Sequence, residues 1–338
     1  MIVTAKAFQE FMNVICKEFD ILIPAKKNNG EYLTLTSYNP NDEWVIASYR
    51  PIDPLKTYLY PPSDQVLPLT ATNYKKRIIF GVKNCDLHAL VILDRALLDD
   101  NNFTDINYKN QREATYIIGA DCTEISPVCH CNLVGLEPYP EFNYDLNMIQ
   151  TGAGFHLQAK TPKGEELIGL MKQYIPLSDT PGPVQTEIPQ NRKRIKESLT
   201  KQNQKYLSYP FNREIADSLG NNPWLDFAKT CVECGGCCYI CPTCYCILMK
   251  DLTEKPKEFR KLKTWDSCQH TGYAKVAGGG SPRPILWQRF RHRYLCKFSV
   301  MVENFSKSGC TGCGRCIAAC PAAIDIRETV VSSRDQQK

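Results

Sequence analysis

Near the N-terminus the apolar residues Phe8, Phe11, Met12, Ile15 and Phe19 recur at helical spacing behind Lys6. This pattern predicts an amphipathic helix that packs on a sheet. Further along, the period shortens. Arg77-Ile78-Ile79-Phe80-Gly81-Val82 and Thr115-Tyr116-Ile117-Ile118-Gly119 are short β-branched runs closed by small or polar residues, the signature of buried strands. Between them, Asp86 to Leu98 returns to a helical pattern with an acidic residue near its start, as a crossover helix requires. Residues 1–175 therefore read as a β-α-β domain of α/β character.

Pro176, Pro181, Pro183 and Pro189, mixed with Ser178, Asp179, Thr180 and Gly182, mark residues 176–205 as a linker unsuited to a helix or a central strand. Residues 206–338 contain charged, helix-compatible segments and few strand-like runs. The expected fold is α+β: an N-terminal α/β-type domain followed by a mostly helical domain.

Eighteen cysteines among 338 residues change the picture from a generic two-domain protein to a metal protein. No export signal precedes the first helix, and no apolar run reaches the ~20 residues that cross a bilayer. The expected address is cytoplasmic, where thiols stay reduced and serve as metal ligands. The 41 basic and 36 acidic residues give a formal charge of +5 without a dominant run. Nucleic acid is thus not an expected partner.

Eight of the cysteines form two copies of one motif. Cys231, Cys234, Cys237 and Cys241-Pro242 make the first, and Cys310, Cys313, Cys316 and Cys320-Pro321 the second. Both follow C-x2-C-x2-C-x3-C-P, the run that holds [4Fe-4S] clusters in bacterial ferredoxins. Two-residue gaps let a looping backbone aim three thiolates at one cube, and the fourth points away to the neighbouring cube. The expected ligands are Cys231, Cys234, Cys237 and Cys320 for one cluster and Cys310, Cys313, Cys316 and Cys241 for the other. Gly235, Gly236, Gly312 and Gly314 allow backbone N–H groups to approach the sulfides. Zinc, the alternative, usually takes its thiolates as two C-x2-C pairs. The 79 positions from Cys231 to Cys310 exceed the insertion in a compact ferredoxin, so helices must intervene. By analogy this resembles the two-cluster domains of fumarate reductase iron-sulfur subunits and heterodisulfide reductase C subunits.

Cys85 and Cys122 follow the two predicted strands, and Cys129 and Cys131 come soon after. Neighbouring parallel strands would deliver all four to one sheet edge, enough for a third [4Fe-4S] cluster. The bland alternative is buried free cysteine.

Several segments together resemble the electron-transfer beta subunit of cytoplasmic sulfhydrogenases and the similar A subunit of anaerobic sulfite reductases. They include Phe80 to Asp86, Cys129-His130-Cys131-Asn132-Leu133, Cys241-Pro242-Thr243-Cys244-Tyr245-Cys246, Trp265-Asp266-Ser267-Cys268-Gln269, Arg289-Phe290-Arg291 and Tyr294-Leu295-Cys296. The resemblance implies a non-catalytic relay between a flavin subunit acting on NAD(P)H and a catalytic subunit, either nickel-iron hydrogenase or siroheme sulfite reductase. It also implies a third cluster on Cys85, Cys122, Cys129 and Cys131. Cys131-Asn132-Leu133 leans toward the sulfhydrogenase side. A heterodisulfide-reductase-linked relay and a non-enzymatic iron-sulfur scaffold or redox sensor are the rival readings.

Two departures stand out. His130 replaces the phenylalanine usual in the relatives, and it is expected to face solvent, to hydrogen-bond a cluster sulfur or to replace a ligand. Cys238 adjoins Cys237, and the three-residue gap to Cys241 favours Cys237 as the ligand. Cys244, Cys246, Cys268 and Cys296 either pack around the clusters or form another metal site, while Cys16 is expected to be structural. Arg283, Arg289, Arg291, His292, Arg293 and Lys297 form the main basic concentration, by default a solvated face, or else cations beside the clusters. The sequence has no glycine-rich nucleotide loop after a strand, so flavin and nicotinamide are expected on another chain.

Overall fold

The computed structural model describes residues 1–27, 30–69, 74–98, 103–209, 211, 223–253 and 258–335. A seven-stranded sheet organises the first half. Its strands are β1 (Ile2–Val3), β2 (Asp20–Lys27), β3 (Tyr32–Ser37), β5 (Arg77–Val82), β6 (Thr115–Gly119), β7 (Leu146–Thr151) and β8 (Gly154–Ala159), in the order β1-β8-β7-β6-β5-β2-β3. The central strands β2, β5, β6 and β7 run parallel, and the flanking pairs are antiparallel.

Helices cover both faces, as a parallel centre requires. On one face, α1 (Ala5–Ile15) buries Phe8, Phe11, Met12 and Ile15, and α5 (Pro162–Tyr174) adds Leu167 and Met171, against Ile78, Phe80 and Ile118. Thr4 caps α1 by accepting from the Ala7 amide. On the other face, α2 (Lys56–Leu59), α3 (Asn84–Leu97) and α4 (Ile106–Ala114) pack Leu59, Leu87, Leu90, Leu93 and Tyr108 on Ile79 and Ile117. Strand alternation thus divides Ile78 and Phe80 from Ile79. The predicted strands and crossover helix all form, with α3 beginning two residues earlier than expected. Phe19 lies beyond α1 yet still joins its core cluster.

Residues expected to form a linker instead carry α6 (Gly182–Gln202). Pro183 falls in the first turn, where its missing N–H costs nothing, whereas Pro189 lies inside and forfeits a helical hydrogen bond. Tertiary contacts offset that loss. Val184, Ile195 and Leu199 are buried, and Arg192 pairs with the Asp121 carboxylate at 2.6 Å.

The second half is built from α7 (Pro223–Ala228), α8 (Gly236–Tyr239), α9 (Leu286–Leu295), α10 (Met301–Phe305), α11 (Arg315–Ala318) and α12 (Ile326–Asp335). A π-helical turn, Cys296–Val300, joins α9 to α10. Trp224, Phe290, Tyr294, Phe298, Ile326 and Val330 form its core together with Leu133 and Val134 from the first half. The strand content exceeds expectation. β9 (Ile247–Thr253) and β10 (Phe259–Trp265) form a hairpin that pairs with β4 (Ser63–Leu67) in a three-stranded antiparallel sheet. Lys250 and Asp251 interrupt the apolar residues of β9, and Arg260, Lys261 and Lys263 those of β10, which conceals both strands from a search for continuous apolar runs.

Candidate functional site

The two motifs fold alike. In each, a glycine in the left-handed conformation, Gly235 (φ +71°) or Gly314 (φ +71°), reverses the chain and opens the short helix α8 or α11. The turn directs the first three cysteines inward. One hollow is lined by Cys231, Cys234, Cys237 and Cys320, with Tyr294 and Ile324 closing its sides. A second is lined by Cys310, Cys313, Cys316 and Cys241, together with Lys297 and Thr311. Each hollow thus gathers three cysteines of one motif and the fourth of the other. Cys316, Arg293 and Ile326 border both, so the two share a wall.

Cys85 lies in the first turn of α3, after β5, and Cys122 follows β6. Cys129 and Cys131 lie on the chain that follows Cys122, and the thiols of Cys122, Cys129 and Cys131 lie close enough to interact electrostatically. Cys85 interacts with both Cys122 and Cys313. The third set therefore adjoins the second hollow.

The junction is a backbone contact. His130 donates its amide to the Gly312 carbonyl at 2.8 Å, and a Cβ on Gly312 would lie 2.4 Å from Cys131 Cα. Gly312 itself has φ +63°. Gly312→Ala should therefore cost at least about 2 kcal/mol, by combining left-handed strain with overpacking. Gly279→Ala is the control: its φ is +76° but nothing lies within 4 Å of its Cβ position. Denaturant midpoints of the two variants check this, and equal shifts would contradict the close approach.

Burial governs the chemistry of these thiols. It pushes Cys122 up to about 12, Cys316 up to about 11, and Cys85 and Cys131 well above the ordinary thiol value. Cys241 rises to about 12 through the neighbouring Cys244 thiol and then burial. Water-excluded thiols of this kind become thiolates when a metal supplies the compensating charge.

Buried cations stand at and near the hollows: Arg293 borders both and Lys297 the second. Arg289, Arg293 and Lys297 are 2%, 5% and 1% exposed, so half of the basic concentration faces inward rather than forming a solvated surface. Arg293 donates to the Cys237 carbonyl at 3.3 Å, yet its Nε has no hydrogen-bond partner. Thr311 Oγ1 and Arg50 Nη2 are likewise buried without one. Arg50 spends its Nε on the Cys313 carbonyl at 2.6 Å and acts electrostatically on Cys129. Orphaned donors at the edges of sulfur-lined hollows fit an anionic cluster with acceptor sulfides. Lys83 adds a buried ammonium beside Cys122, donating to the Ile46 and Asp121 carbonyls at 2.9 and 3.2 Å.

His130 is buried, which removes the solvent-facing option. Its Nδ1 lies 2.9 Å from the Val128 carbonyl and its Nε2 3.8 Å from Cys310 Sγ. Burial lowers its pKa to about 4. Cys237 lines the first hollow, while Cys238 turns away and meets Cys268 Sγ at 3.6 Å. Cys16 is exposed at the C-cap of α1, outside the core its neighbours suggested. Arg50 and Lys83 escaped the sequence reading. Lys83, two residues before Cys85 at a strand exit, carried a local signal, but Arg50 has none.

Doubled cysteine motifs around adjoining hollows, ringed by buried cations, define an iron-sulfur electron-transfer protein. A family model described as a 4Fe-4S dicluster domain matches residues 230–324. Along nearly its whole length the chain is similar to Sulfhydrogenase 2 subunit beta of Pyrococcus furiosus, with 29% identity over 325 residues, covering 94% of this chain and 93% of that one. No solved structure matches it. Among the described residues no helix is long and apolar enough to cross a membrane.

Proposed function

We propose that this chain relays electrons, in the cytoplasm, between a flavin subunit acting on NAD(P)H and a nickel-iron hydrogenase subunit. Three [4Fe-4S] clusters would carry the path. Their ligands are Cys231, Cys234, Cys237 and Cys320; Cys310, Cys313, Cys316 and Cys241; and Cys85, Cys122, Cys129 and Cys131. The observation that carries this reading is contiguity: the first two hollows share Cys316 and Arg293, and the second meets the third set at Gly312 and His130. A scaffold that used its clusters only to hold helices together would not need three sets in one unbroken row.

When bound, such clusters supply reversible one-electron redox change. The chain's own residues set the spacing, exclude water and balance charge. Arg293, Lys297 and Arg50 favour the more negative, reduced state and so raise the potential of the sites they border. The name of the similar Pyrococcus protein supports a hydrogenase partner, and Cys131-Asn132-Leu133 points the same way.

Anaerobic isolation of the tagged chain from its native cells tests the proposal. Nickel and flavin should co-purify, and NAD(P)H should bleach the visible iron-sulfur absorbance within the complex. A siroheme partner would overturn the hydrogenase assignment, and clusters that NAD(P)H and low-potential dyes fail to reduce would overturn the relay.

A further inference from the structure

Four other thiols gather on the far side of α8. Cys237 and Cys238 are consecutive in one helical turn, so their side chains leave it about 100° apart. Cys237 serves the first hollow, and Cys238 faces Cys268, their Sγ atoms 3.6 Å apart. Cys244 and Cys246 stand two apart on the extended chain entering β9. The Cys244 thiol interacts with that of Cys238, and Cys268 interacts with Cys238, Cys244 and Cys246. Three segments up to 30 positions apart thus converge on one place. Cys238 and Cys268 are 3% and 6% exposed, and Cys244 and Cys246 half-buried.

A buried cation independently marks this place. Lys56 is 2% exposed. Its Nζ donates to the Cys244 carbonyl at 2.9 Å and the Cys238 carbonyl at 3.5 Å, and it stands 4.0 Å from the centre of the Trp265 ring. No carboxylate pairs with it among the described residues. Burial lowers the Lys56 pKa, and the thiols of Cys244, of Cys241 at the edge of the second hollow and of Cys238 act against that shift; carbonyls and a ring do not neutralise a buried ammonium, whereas thiolates do.

We propose that Cys238, Cys244, Cys246 and Cys268 hold a fourth iron-sulfur cluster, a [4Fe-4S] cube with Lys56 as its buried counter-cation. Among the described residues no three His, Cys, Asp or Glu side chains converge as a single metal ion requires. That is equally true of the two motif quartets, which line the two hollows. Each thiol loses its proton on binding iron. Of the four, Cys238 is in direct contact with both Cys268 and Cys244, and its side chain rotates about χ1 to admit the cube. The proposal rests on the reading of the chain as an iron-sulfur protein but not on the third cluster or on either partner.

The test is iron and acid-labile sulfide per chain, measured on the anaerobically purified full-length protein and on Cys246→Ala, Cys268→Ala and the double variant. Each variant should lose about four irons, and the double variant no more than either single. Because the readout is the loss, it stands whether the native protein holds about sixteen irons or, should the third cluster fail, about twelve. Unchanged iron, loss of one metal ion, or larger loss in the double variant would overturn the proposal. The unmutated protein provides a second readout. Iodoacetamide should modify Cys244 and Cys246 only after iron is chelated away, and their modification in the iron-loaded protein would also overturn it.

Discussion

Cys320→Ala should remove one four-iron cluster, and adding Cys231→Ala to it should remove no more. The two cysteines belong to different motifs 79 positions apart in their first members, yet both line the first hollow. If ligation is crossed, they serve one cube, and the single and double variants each lose about four irons. If each motif instead held its own cluster, Cys231→Ala would empty one cube and Cys320→Ala the other, for a loss of about eight. Cys241→Ala with Cys310→Ala repeats the logic at the second hollow. Iron and sulfide analysis distinguishes the outcomes without any partner subunit. The effect on the fold should also be large, because crossed thiolates tie together two segments distant in the chain, and metal binding energy is folding energy in such modules.

Arg315→Leu should destabilise the protein by about 3–5 kcal/mol, the usual cost of leaving one member of a buried ion pair alone. Arg315 and Asp86 are 1% and 3% exposed. The guanidinium reaches the carboxylate through two parallel bonds of 2.8 and 2.7 Å, and it also donates to the carbonyls of Pro51, Ile52 and Asp53 at 3.0–3.1 Å. It thereby clamps the second motif to the start of α3 and to the chain before α2. The Asp86 carboxylate raises the Arg315 pKa against the opposing effect of burial. Denaturant unfolding followed by loss of visible absorbance measures the change. Arg315→Leu with Asp86→Leu should recover part of the loss, because an apolar pair replaces a stranded charge. An unchanged midpoint in the single variant would show that the clamp contributes nothing to stability. Arg315 also acts on Cys85 and Cys313, so the single variant should retain iron less tightly at the sheet-edge set.

Local chemistry made some of the site legible in advance. The doubled motif points to iron-sulfur clusters because a cube accepts only certain thiolate spacings, and the model of the 4Fe-4S dicluster domain covers that same region. The strands β5 and β6 were visible as β-branched runs, and the cysteines at their exits follow from parallel topology. Other features were misread for identifiable reasons. Prolines argued against α6, yet one sits where the helix needs no N–H and the other is tolerated by a helix anchored through Arg192 and Leu199. The run containing Arg289, Arg293 and Lys297 looked like a solvated face, because charge counts carry no information about which side of a helix meets a hollow.

The amino-acid sequence by itself determined the cofactor class, the doubled cysteine motif and the parallel heart of the first half, since each depends on spacing along a few residues. Only the tertiary structure decided that the second motif docks on the Cys129–Cys131 loop through Gly312, and that Asp86 pairs with Arg315. It also decided that Arg50 and Lys56 stand buried beside thiols from distant segments. Those relations join residues up to 263 positions apart, and their energies come from burial and close approach, which no local pattern encodes.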